Sequence, residues 1–232
     1  MKVVILNDCF FDNDHLERLR KLGDLEIFNN TNSKMLVAKR IKNADIAIVD
    51  QFLTAYDNEV FTTARNLKLL ALNSTSFSEV DIVSADKLKI KVANVPGFSR
   101  RSVAELAIGL MFAVLRNIPK GDKEFRNHPV DDLDPVSVRG KSYIGFDVES
   151  KVLGVLGLGD IGSTVAKMAL GLGMQVVGFS KSKKNIKGIK DVGLKELLKV
   201  SDVVSVHLPL NSETEEIISK NEFELMKKNS IM

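Results

Sequence analysis

Six residues hold the clearest chemistry in the chain: Gly157-Leu158-Gly159-Asp160-Ile161-Gly162, in the run VLGVLGLGDIGSTVAKMA. An apolar strand leads directly into this G-x-G-x-x-G, and a helical pattern (Val165, Ala166, Met168, Ala169) follows directly from it. That context gives the pattern meaning, because each glycine then has a separate task. Gly157 lets the chain turn sharply, Gly159 lets a diphosphate approach bare backbone, and Gly162 lets the helix pack closely on the strand. The N–H groups and dipole at the helix start then face the diphosphate. The competing reading is a tight strand-to-helix turn with no ligand.

The second strand of such a site ends where an acidic residue commonly accepts hydrogen bonds from the adenosine ribose of NAD. This chain has Phe179-Ser180-Lys181-Ser182-Lys183-Lys184 there, with no carboxylate. Ser180 can hydrogen-bond a phosphate, and Lys181 and Lys183 add Coulomb attraction. The expectation is an NAD(P) site with NADP(H) mildly favoured; the bland alternative is a solvated lysine loop.

Other reactive side chains are sparse. Cys9 is the single cysteine, so the chain has no internal disulfide, which suits a reducing, cytoplasmic setting. His15 and His128 read as surface residues, and Asp131, Asp132 and Asp134 as a solvated acidic loop without metal-site spacing.

The elements that position these residues follow from apolar periodicity. Short runs begin near Lys2, Leu25, Asp45, Lys68 and Lys91, with helical spacing between them (Leu16, Leu19, Leu22; Met35, Leu36, Ile41; Val80, Val83, Leu88). Alternation of this kind predicts an α/β fold with a parallel sheet covered on both faces. After Pro96-Gly97 the longest helical pattern runs from Ser102, a predicted N-cap with Glu105 completing a capping box, to Leu115. Residues 127–145 read as a loop. Strands follow at Val152–Leu156, Val176–Phe179 and Val203–His207, with a short helix at Leu194, Leu197 and Leu198. Ser212 is a predicted N-cap for a helical region through Met226. The boundary falls near residue 99, giving lobes 1–99 and 100–232. Ile231 and Met232 look like the opening of another strand, which favours a truncated lobe over a frayed tail.

Length and composition agree with two modest lobes. The 232 residues are 44% hydrophobic and 27% charged, the globular average, and a net charge of +3 is no nucleic-acid signature. The first strand is too short for a signal-peptide core, and neither a membrane nor a nucleic-acid partner is expected.

Four stretches together resemble the D-isomer-specific 2-hydroxyacid dehydrogenases: VANVPGFSRRSVAEL (92–106), VLGVLGLGDIG (152–162), GLGMQVVGFS (171–180) and the run from Ser201 to Met232. The resemblance implies a flavodoxin-like substrate lobe, a Rossmann doubly wound lobe and interconversion of a small D-2-hydroxy acid with its 2-oxo acid. It implies that Asp160 and Ile161 lie over the diphosphate, Ser180 at the ribose, and His207, Leu208 and Pro209 on the adenine side with Thr214 nearby. Val103 would touch the nicotinamide. Asn73-Ser74-Thr75-Ser76 matches the loop whose amides hold the substrate carboxylate, although Ser74 and Ser76 replace common glycines. It also implies a homodimer through the long helix. The family's catalytic arginine, carboxylate and histidine lie past the point matching Met232, so no catalytic residue is assigned here. A non-catalytic dinucleotide-binding module and an inactive truncated product stand as the alternatives.

Overall fold

Strands with apolar residues on both faces need cover on both sides, and the computed structural model meets that need twice. It describes residues 1–7, 11–50, 53–127 and 144–232. Cys9, His128 and the acidic loop of Asp131, Asp132 and Asp134 lie outside the described residues. The chain divides into two compact units, Met1–Phe98 and Ser99–Met232.

In the first unit β1 (Lys2–Leu6), β2 (Asp24–Phe28), β3 (Ile46–Val49), β4 (Leu69–Leu72) and β5 (Lys91–Ala93) form one parallel sheet in the order β2-β1-β3-β4-β5. That is the flavodoxin-like order. Alternation along β1 sends Val3 and Ile5 to one face, beside Leu16 and Leu19 of α1 (Asn13–Arg20). Val4 and Leu6 go to the other face, in the cluster that holds Val37 and Ile41 of α2 (Lys34–Ile41), Val60 and Phe61 of α3 (Asn58–Thr63) and Ala85 of α4 (Ile82–Lys87). Each helix starts on a side-chain cap: Asp12, Ser33, Asp57 and Asp81 accept the backbone N–H three residues on, at 2.9, 3.4, 3.1 and 3.0 Å. These caps occupy orphan N–H groups and fix where each crossover begins.

The second unit opens with α5 (Arg100–Leu115), followed by α6 (Ile118–Asn127), β6 (Val152–Leu156), α7 (Asp160–Gly171), β7 (Gln175–Phe179), β8 (Ile189–Asp191), α8 (Leu194–Val200), β9 (Val203–Val206) and α9 (Lys220–Leu225). Its parallel sheet runs β8-β7-β6-β9, the arrangement of a Rossmann half. Ala104 and Met111 of α5 share a core with Leu153 and Val155 of β6 and Val165, Ala166 and Ala169 of α7. Leu156, Val177, Leu197, Leu198 and Val204 fill the opposite face. Ile231 makes a parallel bridge to Val203 and so takes a strand's place beside β9.

Three expectations need correction. The long helix begins at Arg100 with Ser99 as N-cap; the Ser102 hydroxyl donates to the Ser99 carbonyl at 3.1 Å, and Glu105 pairs with Arg101 at 2.7 Å. A hydroxyl turned back on the preceding carbonyl cannot cap, so no Ser102/Glu105 box forms. The capping box lies instead at Ser219 and Glu222, opening α9. Ser212 begins turns rather than a helix, because Asn211 Oδ1 captures the N–H groups of Glu213 and Thr214 at 2.9 and 3.2 Å. The three-residue β8 carries too short an alternation to register as a strand in the sequence.

Candidate dinucleotide site

The site is built at the carboxyl ends of three neighbouring strands. β6 is central, and its last turn is tied to both neighbours: Gly157 N–H donates to the Phe179 carbonyl at 2.8 Å, and His207 N–H donates to the Leu156 carbonyl at 2.7 Å. These two bonds bring the glycine corner, the Ser180 end of β7 and the His207 end of β9 to one edge.

The three glycines are set apart by their surroundings. Gly157 has φ +96°, and a Cβ there would meet the His207 carbonyl oxygen at 2.5 Å. A Cβ on Gly162 would lie 1.9 Å from the Gly157 carbonyl oxygen, so α7 and the turn approach as closely as backbone allows. Gly159, the N-cap of α7, is different: a Cβ there meets nothing within 4 Å. Packing therefore requires Gly157 and Gly162 and leaves Gly159 unexplained, unless something outside the chain approaches it. The first N–H groups of α7 have no intrahelical acceptor and carry the positive end of the helix dipole. Gly159 and Asp160 are exposed, Ile161 is partly buried, and the Ser163 and Thr164 hydroxyls donate to the Asp160 carbonyl at 3.3 and 2.7 Å, steadying the first turn. Such a cradle fits a diphosphate.

On the β7 side, Ser180 Oγ donates to the Ser182 carbonyl at 2.7 Å. Its lone pairs remain free to accept from a ribose hydroxyl. Lys181 Nζ lies 2.8 and 2.7 Å from the two carboxylate oxygens of Glu213, and Lys183 is exposed. Glu213 carries no sequence signal, because its partner stands 32 residues away.

On the β9 side, His207 Nε2 lies 2.8 Å from Ser205 Oγ. Burial pushes the imidazole below its usual value, so it is neutral near pH 7. Leu208 is partly buried against Gly157 and the second-unit core, and Pro209 is exposed. Thr214 Oγ1 donates to the Pro209 carbonyl and accepts from Asn211 N–H at 2.9 Å, closing the loop after β9. Val103 stands apart from this edge in sequence, exposed near the start of α5.

The loop Asn73-Ser74-Thr75-Ser76, which the resemblance matches to a substrate loop, belongs to the first unit. Asn73 N–H extends the β3–β4 ladder by donating to the Val49 carbonyl at 2.8 Å. Ser74 Oγ donates to the Ser76 carbonyl at 2.8 Å, Val95 N–H to the Ser74 carbonyl at 3.0 Å, and Asn94 Nδ2 to the Thr75 carbonyl at 2.7 Å. Every one of these bonds consumes a carbonyl. Among the described residues, the N–H groups of Ser74, Thr75 and Ser76 donate to no protein acceptor, so the loop presents donors suited to an anion. Neither Ser74 nor Ser76 has a positive φ, which explains why serine serves where glycine is common.

Comparison with known proteins agrees with this geometry. The family described as D-isomer specific 2-hydroxyacid dehydrogenase, NAD binding domain, matches residues 108–232. The glyoxylate reductase of Thermococcus litoralis is 30% identical over 94% of this chain and 67% of its own length. Among solved structures, the TT0316 protein from Thermus thermophilus is 30% identical with a TM-score of 0.90, covering 100% of this chain and 72% of that one. An acyclic imino acid reductase in complex with NADPH and D-Arg is 32% identical with a TM-score of 0.83, covering 98% and 71%. The chain spans 62% of one curated relative's length and 41% to 68% of others. With a glycine corner, a Rossmann strand order and a family match over more than half its residues, the chain belongs to the D-isomer-specific 2-hydroxyacid dehydrogenases.

Proposed function

We propose that this chain binds NAD(P), with NADP(H) mildly favoured, and a small 2-oxo or D-2-hydroxy acid, as part of an oxidoreductase that interconverts the two. The observation that carries the reading is Gly159: open to solvent, at the head of α7, where no packing contact calls for glycine. The bound nicotinamide supplies or removes the hydride at the substrate's carbonyl carbon. The chain's own residues bind and orient. The start of α7 holds the diphosphate, Ser180 the ribose, and His207, Leu208 and Pro209 flank the adenine with Thr214 fixing their loop. Val103 bounds the nicotinamide. Lys183, and Lys181 to the extent that its pairing with Glu213 leaves it available, favour a 2′-phosphate, in keeping with the NADPH-bound reductase among the similar structures. Ser74, Thr75 and Ser76 orient the acid by offering their N–H groups to its carboxylate, on a loop that Asn73 ties to the end of β3.

Reduction also needs a proton donor for the carbonyl oxygen and a guanidinium for the carboxylate. The neutral, half-buried His207 belongs to the cofactor wall, and we assign no catalytic residue within 1–232. A single cysteine in the chain suits a reducing, cytoplasmic setting. The exposed stripe Leu106, Leu110 and Val114 on α5 supports a homodimer, since an i, i+4, i+8 apolar row presents one continuous face.

Titration of the 232-residue chain with NADPH and with NADH, followed by fluorescence, tests the reading. Saturable binding of both, tighter for NADPH and without turnover of glyoxylate, is the expected result. Absence of binding by either dinucleotide defeats it.

A further inference from the structure

A carboxylate is absent from the end of β7 in the sequence, yet one is present there in space. Glu213, from the loop after β9, places both carboxylate oxygens within 2.8 Å of Lys181 Nζ. Lys181 directly follows Ser180, so this pair occupies the ground where the adenosine 2′ position is recognised if the cofactor reading above holds. Asn211 holds the loop in that pose by accepting from Glu213 N–H at 2.9 Å. The geometry points to Glu213 as the residue that sets discrimination between the two dinucleotides, by competing with a 2′-phosphate for Lys181.

The argument is electrostatic. A phosphate gains from Lys181 only to the extent that the ammonium's charge is not already answered, and Glu213 answers it with both oxygens. The same carboxylate repels a dianion placed beside it. An unphosphorylated ribose meets neither penalty: its hydroxyls can donate to Glu213 and to the free lone pairs of Ser180, whose own proton is held by the Ser182 carbonyl. Glu213 thus does for NADH what an Asp or Glu at the end of β7 does elsewhere, and it leaves Lys183 as the cation that tilts the balance back. Both members of the pair are exposed, with side chains 83% and 63% accessible, so the contact is exchangeable and a ligand can break it.

The test is the ratio of NADPH to NADH dissociation constants across five variants of the chain, four single and one double. Glu213→Gln is expected to tighten NADPH by about three- to tenfold at low salt while NADH is unchanged or weaker, the gain shrinking as salt rises. Glu213→Lys tightens NADPH further. Lys181→Ala weakens NADPH in both backgrounds, in the native one because it leaves Glu213 unanswered beside the phosphate, and the Lys181→Ala/Glu213→Gln protein binds NADPH more tightly than Lys181→Ala alone. Glu215→Gln, a neighbouring exposed carboxylate, leaves the ratio as it was. Equal shifts for both cofactors in Glu213→Gln, or the same gain from Glu215→Gln, overturn the assignment and leave the cofactor reading standing. Failure of the native chain to bind either dinucleotide overturns both.

Discussion

Asp45 and Asp202 perform the same task in different units. Asp45 stands one residue before β3, accepts the Lys2 N–H at the head of β1 at 2.7 Å and pairs with Lys68 Nζ at 2.8 Å. Asp202 stands one residue before β9, accepts the Val152 N–H at the head of β6 at 2.9 Å and pairs with Lys227 Nζ at 2.8 Å. In both sheets a carboxylate just before one strand satisfies the first donor of the strand beside it and anchors a lysine from a later segment.

This arrangement predicts acid sensitivity in both units. The Lys68 ammonium first, and then the Lys2 N–H, hold the Asp45 carboxyl below its usual 3.8. Burial pushes the Asp202 carboxyl up, but Lys227 and the Val152 N–H together outweigh it and the net direction is also down. A depressed carboxylate adds stability that is full above the ordinary value and lost as pH falls through the lower folded value. Asp202→Asn should therefore cost about 1–2 kcal/mol at neutral pH, after allowance for partial exposure. Urea unfolding of the variant and the native chain should differ at pH 7 and draw together at a pH below 3.8, as the lower folded value is passed. A gap of equal size at both pH values would contradict the charge-based account.

The glycine corner separates packing from binding. Gly162→Ala forces a methyl to within 1.9 Å of the Gly157 carbonyl oxygen, which the backbone relieves only by moving. Overpacking of this kind costs about 1–3 kcal/mol, even after the gain of about 1 kcal/mol from alanine in a helix. Gly159→Ala meets nothing and costs less than about 1 kcal/mol as a change of N-cap. Its methyl would stand where the proposed diphosphate approaches, so NADPH affinity should fall about tenfold, equivalent to about 1.4 kcal/mol. Melting curves with and without NADPH read both effects. A Gly159→Ala protein that binds normally would remove the diphosphate from this corner.

The loop after β4 predicts a role for Asn94. Its amide donates to the Thr75 carbonyl, while the Thr75 hydroxyl donates to the Val95 carbonyl at 3.2 Å, so the strands β4 and β5 are stitched past their ends. Asn94→Ala frees the Thr75 carbonyl and loosens the backbone that carries the three open N–H groups. The bond is exposed, so stability should fall by only about 0.5–1.5 kcal/mol. Glyoxylate binding to the NADPH complex should weaken more than NADPH binding itself. Calorimetric titration of each ligand checks this, and equal weakening of both would argue for a general loosening instead.

What was legible in the sequence shares one property: it was written locally. The Gly157–Gly162 motif, the strands of the first unit and their helices are encoded by neighbours within a few residues, through glycine conformation and apolar alternation. Those features reappear in the structure with boundaries displaced by a residue or two, as at β7 and β9. Ser102 does not cap because α5 already begins at Arg100 and the Ser102 hydroxyl donates to the Ser99 carbonyl, and Ser212 does not cap because Asn211 takes the N–H groups of Glu213 and Thr214. Glu213 and Asn94 were invisible because each acts on a partner brought near by the sheet, 32 and 19 residues away. The family resemblance supplied the roles of Thr214 and His207, which periodicity alone does not assign.

His207 gives a second, separable pH response. Burial lowers its pKa below the ordinary imidazole value of 6.5, with no carboxylate among the causes to counter it. The unfolded chain therefore takes up a proton before the folded one as pH falls. Stability from this residue is full above 6.5 and declines as pH drops from there towards the depressed folded value. Because His207 N–H is bonded to the end of β6 and its ring to Ser205, the loss is felt at the glycine corner rather than at the carboxylate anchors. His207→Asn, which cannot be protonated, should flatten the melting temperature between pH 7 and about pH 5, while leaving the steeper acid transition of the aspartates in place. If the variant and the native chain lose stability in parallel over that range, the imidazole is not the group that titrates.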